Sequence, residues 1–169
     1  MPLNTATLRA EILRRTDPGR TDFYGWPESV ADVAASWAAV GRAYFANMLT
    51  PLPSPGALAA GEEAMRAAIV AAAGPEGRLP YSFSQFVSWF SGAWTAFVTA
   101  MAPLCVPAVI PGVPATGLVP PVPFSMSRAD YPNTIDPAPP AEKMAGTIHA
   151  WALTGTYLDP ATVTMMNWT

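Results

Sequence analysis

The feature that most limits this chain is a stretch of 49 residues, 79–127, with no charged side chain and eight prolines. Its first part, YSFSQFVSWFSGAWTAFVTAMA, has helical spacing, with Ser and Thr where a surface helix would carry Glu and Lys. Its second part, PLCVPAVIPGVPATGLVPPVPF, cannot be helical, because proline lacks the N–H donor and its ring clashes with the preceding turn. So long a neutral segment predicts a cover, and a partner subunit or a membrane are the two candidates.

Composition agrees. Hydrophobic residues make up 51% of the chain and charged residues 12%, about half the usual charged share. The aromatic content argues for an ordered core rather than disorder, and 169 residues suit a single domain. Eight Arg and one Lys, Lys143, give a net charge of −3, and the densest basic group is Arg14, Arg15 and Arg20. That is too sparse for a grip on phosphates, so nucleic acid is not an expected partner. MPLNTATLRAEILRR lacks the apolar core and cleavage site of a signal peptide, which predicts an intracellular location or an assembly built there. The lone Cys105, flanked by apolar residues, reads as a small buried hydrophobe.

Five helices are predicted. The first, Thr5 to Arg15, starts from Asn4 or Thr5 and ends at Asp17-Pro18-Gly19. The linker that follows carries Phe23, Tyr24 and Trp26, which need a surface to lie on. The second, about Glu28 to Met48, repeats apolar residues at Val33, Trp37, Val40, Tyr44 and Met48, with Ser29 and Asp32 as a capping pair. Ser54-Pro55 opens the third and Gly74-Pro75 closes it. The fourth, Ser82 to Ala102, sets Phe86, Phe90, Trp94, Phe97 and Met101 on one face. Small hydroxyls line the other, a face able to pack against protein. The fifth, Ala141 to Leu153, stops at Gly155. Between the last two helices, 103–140 reads as an extended Pro-rich arm packed on a neighbour. The tail TVTMMNWT alternates as a strand with no evident partner in the chain. It would pair with the arm or with another copy's sheet edge.

No catalytic, metal or phosphate-loop motif is present, so an enzyme is not expected and no cofactor is called for. His149 reads as an ordinary helix histidine. Glu62 and Glu63, being adjacent, point about 100° apart and form no carboxylate pair. The six tryptophans are spread over the chain and read as packing residues. Tyr81 to Ala102 is long enough to span a membrane, but it carries many Ser and Thr and keeps its apolar residues on one face. A small membrane protein with this one helix, near 81–102, inserted is therefore the alternative.

The order of parts in 82–169 resembles small structural proteins encoded among the virion genes of tailed bacteriophages, near tail or baseplate genes. The likeness rests on an aromatic amphipathic helix, then PAVIPGVPATGLVPPVP, then AEKMAGTIHAWALTGTY and the tail TVTMMNWT. It implies a non-enzymatic virion component, assembled in the host cytoplasm, whose partners are other virion proteins and copies of itself. The expected fold is mainly α: a bundle of four to five helices (1–102), a long Pro-rich extended arm (103–140), and a C-terminal helix plus β-strand (141–169), in one domain. The expected interface residues are Val106, Ile110, Val113, Val119 and Phe124 on the arm, with Val163, Met165 and Trp168 on the tail. Removing Asp159 to Thr169 is expected to abolish assembly while sparing the helices.

Overall fold

The computed structural model describes residues 3–80, 82–106, 117–120, 122–130, 136–159 and 161–169. Among them are five helices: α1 (Thr5–Thr16), α2 (Val30–Phe45), α3 (Pro55–Ala72), α4 (Phe83–Met101) and α5 (Ala138–Ala152). The fold is mainly α. Local chemistry starts four of the helices. Asn4 Oδ1 accepts from the Ala6 N–H at 2.7 Å. Ser29 and Asp32 form a reciprocal capping box. Ser54 caps α3 with Pro55 in the first turn, and Ser82 caps α4. Gly74, at φ +62°, takes the left-handed turn that ends α3.

α3 packs against both α2 and α4, and α1 packs against α5 and α2. The three-helix contact closes on one ring. Phe97 of α4 lies against Gly41 of α2 and Gly61 of α3, where an added Cβ would meet the ring at 3.0 Å and 2.6 Å respectively. Without side chains at these two positions, the helices approach closely enough to hold the ring from both sides. Phe45 stacks on Phe97 with centroids 5.3 Å apart, and Trp94 sits fully buried beside Tyr44, Phe45 and Phe90. The hydroxyl face of α4 is covered only in part. Ser91 is buried and Thr95 half-buried, each donating to a helix carbonyl, at 3.2 Å and 2.9 Å. Ser84, Ser88 and Thr99 are exposed.

Two expectations for the second half need correction. The tail strand has a partner inside the chain. β2 (Thr156–Asp159) and β3 (Thr164–Asn167) form an antiparallel hairpin, paired Thr156 to Asn167 and Asp159 to Thr164. The two-residue β1 (Gly117–Leu118), from the arm, adds to the other side of β2. The last part of the arm is also not free. Phe124 and Met126 are core residues, Phe124 meeting Phe90 and Trp151 edge-on, and Trp151 donates its Nε1–H to the Val122 carbonyl at 2.8 Å. Phe124 is thus packed between α4 and α5, while the Val122 side chain stays exposed. At the start of the arm, Val106 and Leu52 exchange two backbone hydrogen bonds of 2.8 Å.

Gly155 is a close-packing residue. Its backbone is not left-handed, unlike that of Gly25, Gly74 and Gly77. Instead the Trp168 indole lies directly on its Cα face. Trp168 is fully buried, donates Nε1–H to the Thr156 carbonyl at 2.9 Å and meets Phe45 edge-on.

Candidate interaction surface

Most of the titratable side chains that could suggest chemistry serve the packing. Tyr44 is buried, and its Oη lies 2.8 Å from His149 Nδ1, tying α2 to α5. Burial pushes the Tyr44 phenol well above its usual range and holds His149 below its usual value near 6.5. Glu62 pairs with Arg42 across α2 and α3 at 2.7 Å, with Arg66 at 3.8 Å on its own helix. Glu63 is exposed. Burial raises the Cys105 thiol to about 12, which keeps it protonated and inert. Among the described residues no cluster of His, Cys, Asp or Glu is placed to hold a metal ion. None of their helices is long and apolar enough to cross a membrane.

The linker aromatics find their surface on α1. Tyr24 donates its backbone N–H to the Arg14 carbonyl, and the guanidinium carbons of Arg14 and Arg15 stand 4.7 and 4.6 Å from its ring centre. Trp26 meets Phe23 edge-on and stays largely exposed.

The concentrated apolar exposure is on the β2–β3 hairpin. Asp159 builds its turn, accepting from the Ala161 N–H at 2.9 Å and the Thr162 hydroxyl at 2.8 Å. Val163 closes the turn at φ +53°, a left-handed conformation that a β-branched residue rarely adopts. Its side chain is 75% exposed. Next to it Leu158 is 37% exposed, Met165 50% and Met166 45%. Register sorts these by face. Leu158 and Met165 are directly opposite, on the face away from the buried Tyr157, while Met166 pairs with Tyr157 on the inner face. From Ala161 to Thr169 the chain has no charged residue.

The structure divides the residues expected at an interface. Val163 and Met165 are exposed, as an interface requires. Phe124 and Trp168 lie in the chain's own core and cannot also be docking residues while the core is intact. Val106 is half-buried on Leu52, and Val119 is half-buried against the core. Ile110 and Val113 fall outside the described residues. Because Trp168 is core, removing Asp159 to Thr169 would unseat Phe45 and Gly155 rather than spare the helices. Sequence reading missed Met166 and Leu158. The signal was present: Thr-Tyr-Leu before Asp-Pro-Ala-Thr is a strand followed by a turn, which would have made the tail the second arm of a hairpin. Comparison with protein-family models, curated proteins and solved structures finds no match to this chain.

Proposed function

We propose that this chain is a non-enzymatic structural subunit of a multi-copy assembly, a virion component of the tail, neck or baseplate kind that its second half resembles. The observation that carries the reading is the hairpin. It displays Leu158, Val163, Met165 and Met166 to solvent, the last three within residues 161–169, which carry no charge. Exposed apolar side chains concentrated on one element mark contact with other macromolecules. Val163 adds a second argument. A β-branched side chain in the left-handed region costs about 1–2 kcal/mol, and at 75% exposure it recovers little of that within its own chain. The groups that could do proton or thiol chemistry are tied up in packing, which supports a structural role.

Quantitative mass spectrometry of particles produced from the genome that encodes this chain tests the reading. The expected result is the chain in the purified particle at a fixed stoichiometry of several copies. Its absence from the particle, with recovery in the soluble or membrane fraction of the host, overturns it.

A further inference from the structure

The alternation of hydrogen bonds along β3 identifies which of its backbone groups face outward. The Trp168 N–H donates to the Gly155 carbonyl at 2.9 Å, so residues 155 and 168 form a bonded pair. Counting back by two along the antiparallel register, Met166 bonds to Tyr157 and Thr164 to Asp159. Met165 and Asn167 therefore turn their N–H and C=O groups away from β2, toward the open edge of the sheet. Thr169 follows the same alternation, and its outward groups are already taken: it donates to the Thr50 carbonyl at 3.1 Å and accepts from the Leu49 N–H at 2.8 Å. Among the described residues the sheet order β1-β2-β3 leaves β3 with no further strand.

We propose that this edge is a homotypic docking site, at which β3 of a second copy adds antiparallel about a two-fold axis through Met166. The proposal rests on the reading of the chain as a multi-copy subunit and names the partner at its hairpin. Self-complementarity is the first argument. Met165 and Asn167 are symmetric about Met166, so a two-fold pairs Met165 of each copy with Asn167 of the other and satisfies all four outward groups reciprocally. Charge is the second. Soluble proteins protect a free edge with Lys, Pro or inward charges. Residues 161–169 carry neither a charge nor a proline, so two identical strands meet without like-charge repulsion. A charged peptide would find nothing there to steer it. The third is the apolar surround: each copy brings Met165, Met166 and Val163 to the join, and all three are exposed in the single chain. Thr169 being occupied, and Val163 turning out of the strand, the pairing extends over five residues, 164–168. Such a small contact is weak for one pair and gains strength only in repetition.

The test uses the full chain. Met165→Pro deletes an N–H that points away from β2, so the intramolecular ladder keeps its bonds, as for proline on an edge strand generally. Sedimentation equilibrium should show wild-type self-association that Met165→Pro weakens by roughly 30-fold, one donor being lost from each copy. Circular dichroism should show the same helical content in both proteins. In a Cys105→Ala background, Met166→Cys should form a disulfide dimer under mild oxidation. The two-fold brings the 166 positions into a non-bonded pair with Cα atoms about 4.5 Å apart, within disulfide range. Adding Met165→Pro should abolish the cross-link. Wild-type chain that stays monomeric at about 1 mM, a concentration at which even weak pairs form, overturns the proposal. So does an oligomer that Met165→Pro leaves unchanged and position 166 fails to cross-link. In either case, recovery of several copies per particle would keep the structural-subunit reading and move the contact elsewhere.

Discussion

Replacing Gly155 with alanine adds one methyl group where there is no room for it. An ideal Cβ at this position would lie 2.6 Å from Trp168 Cε2 and 2.8 Å from Cε3, against a comfortable carbon–carbon separation of about 3.5–4.0 Å. Two responses are open to the fold. The ring can stay and shift the hairpin by about an ångström, an overpacking strain of about 1–3 kcal/mol. Or it can leave, surrendering the burial of an indole of about 150–250 Å², worth roughly 4–6 kcal/mol as an upper bound. Leaving also breaks the bond from Nε1–H to the Thr156 carbonyl, about 1 kcal/mol net. The cheaper response wins, so Gly155→Ala should destabilise by about 3 kcal/mol. Urea unfolding followed by circular dichroism measures this directly. The mechanism is isolated by a double-mutant cycle. Trp168→Ala alone should cost about 3–5 kcal/mol, and adding Gly155→Ala to it should cost almost nothing, because the clash has gone. An additive double mutant would refute the account, as would a Gly155→Ala loss under about 1 kcal/mol.

Three further outcomes follow from the same geometry. Gly61→Ala should destabilise by about 2–3 kcal/mol through Phe97, and Phe97→Leu should rescue part of the loss by vacating the ring's place; thermal melts of the two single variants and the double variant read this out. Val163→Gly should stabilise the isolated chain by about 1 kcal/mol, since glycine adopts the left-handed conformation freely; a fall in the urea midpoint would show that the turn is not strained by its side chain. Stability should also decline as pH falls below His149's usual value near 6.5 toward its lowered folded value, because the unfolded chain takes up the proton more readily. Protonation makes Nδ1 a donor and leaves the buried Tyr44 hydroxyl hydrogen without its acceptor. His149→Gln should be flatter over that range in chemical unfolding, and equal slopes would refute the assignment.

The parts that sequence disclosed are those set by neighbours in the chain. Ser29 with Asp32, Ser54 with Pro55, and Gly74 act within one helical turn of themselves, and each does in the structure what its residue type predicts. The apolar stripe of α2 was legible for the same reason, since a helix repeats its burial every three to four residues. What sequence hid depends on contacts between distant segments. Gly61 stands in an alanine-rich helix where nothing local separates it from its neighbours, and only Phe97, 36 positions away, explains it. Trp168 alternates with exposed residues as any strand residue would, and its burial follows from Gly155 and Phe45 being bare enough and flat enough to receive it. Gly155 fits a helix stop by position, but its requirement is steric.

The charge-free segment 79–127 suggested a surface completed by neighbours, yet Phe90, Trp94, Phe97, Phe124 and Met126 of that segment are completed by the chain itself. At those five positions the lack of charge is accounted for by burial in the chain's own core. The hairpin is different. Its inward residues, Tyr157 and Trp168, already anchor it to the core, so the fold gains little from Val163 at φ +53° or from Met165 facing water. Polar residues at both positions would serve a solitary chain at least as well, and asparagine or glycine at 163 would serve it better. An element that is well anchored on one face, strained at its turn and apolar along its open edge fits selection for contact better than selection for stability.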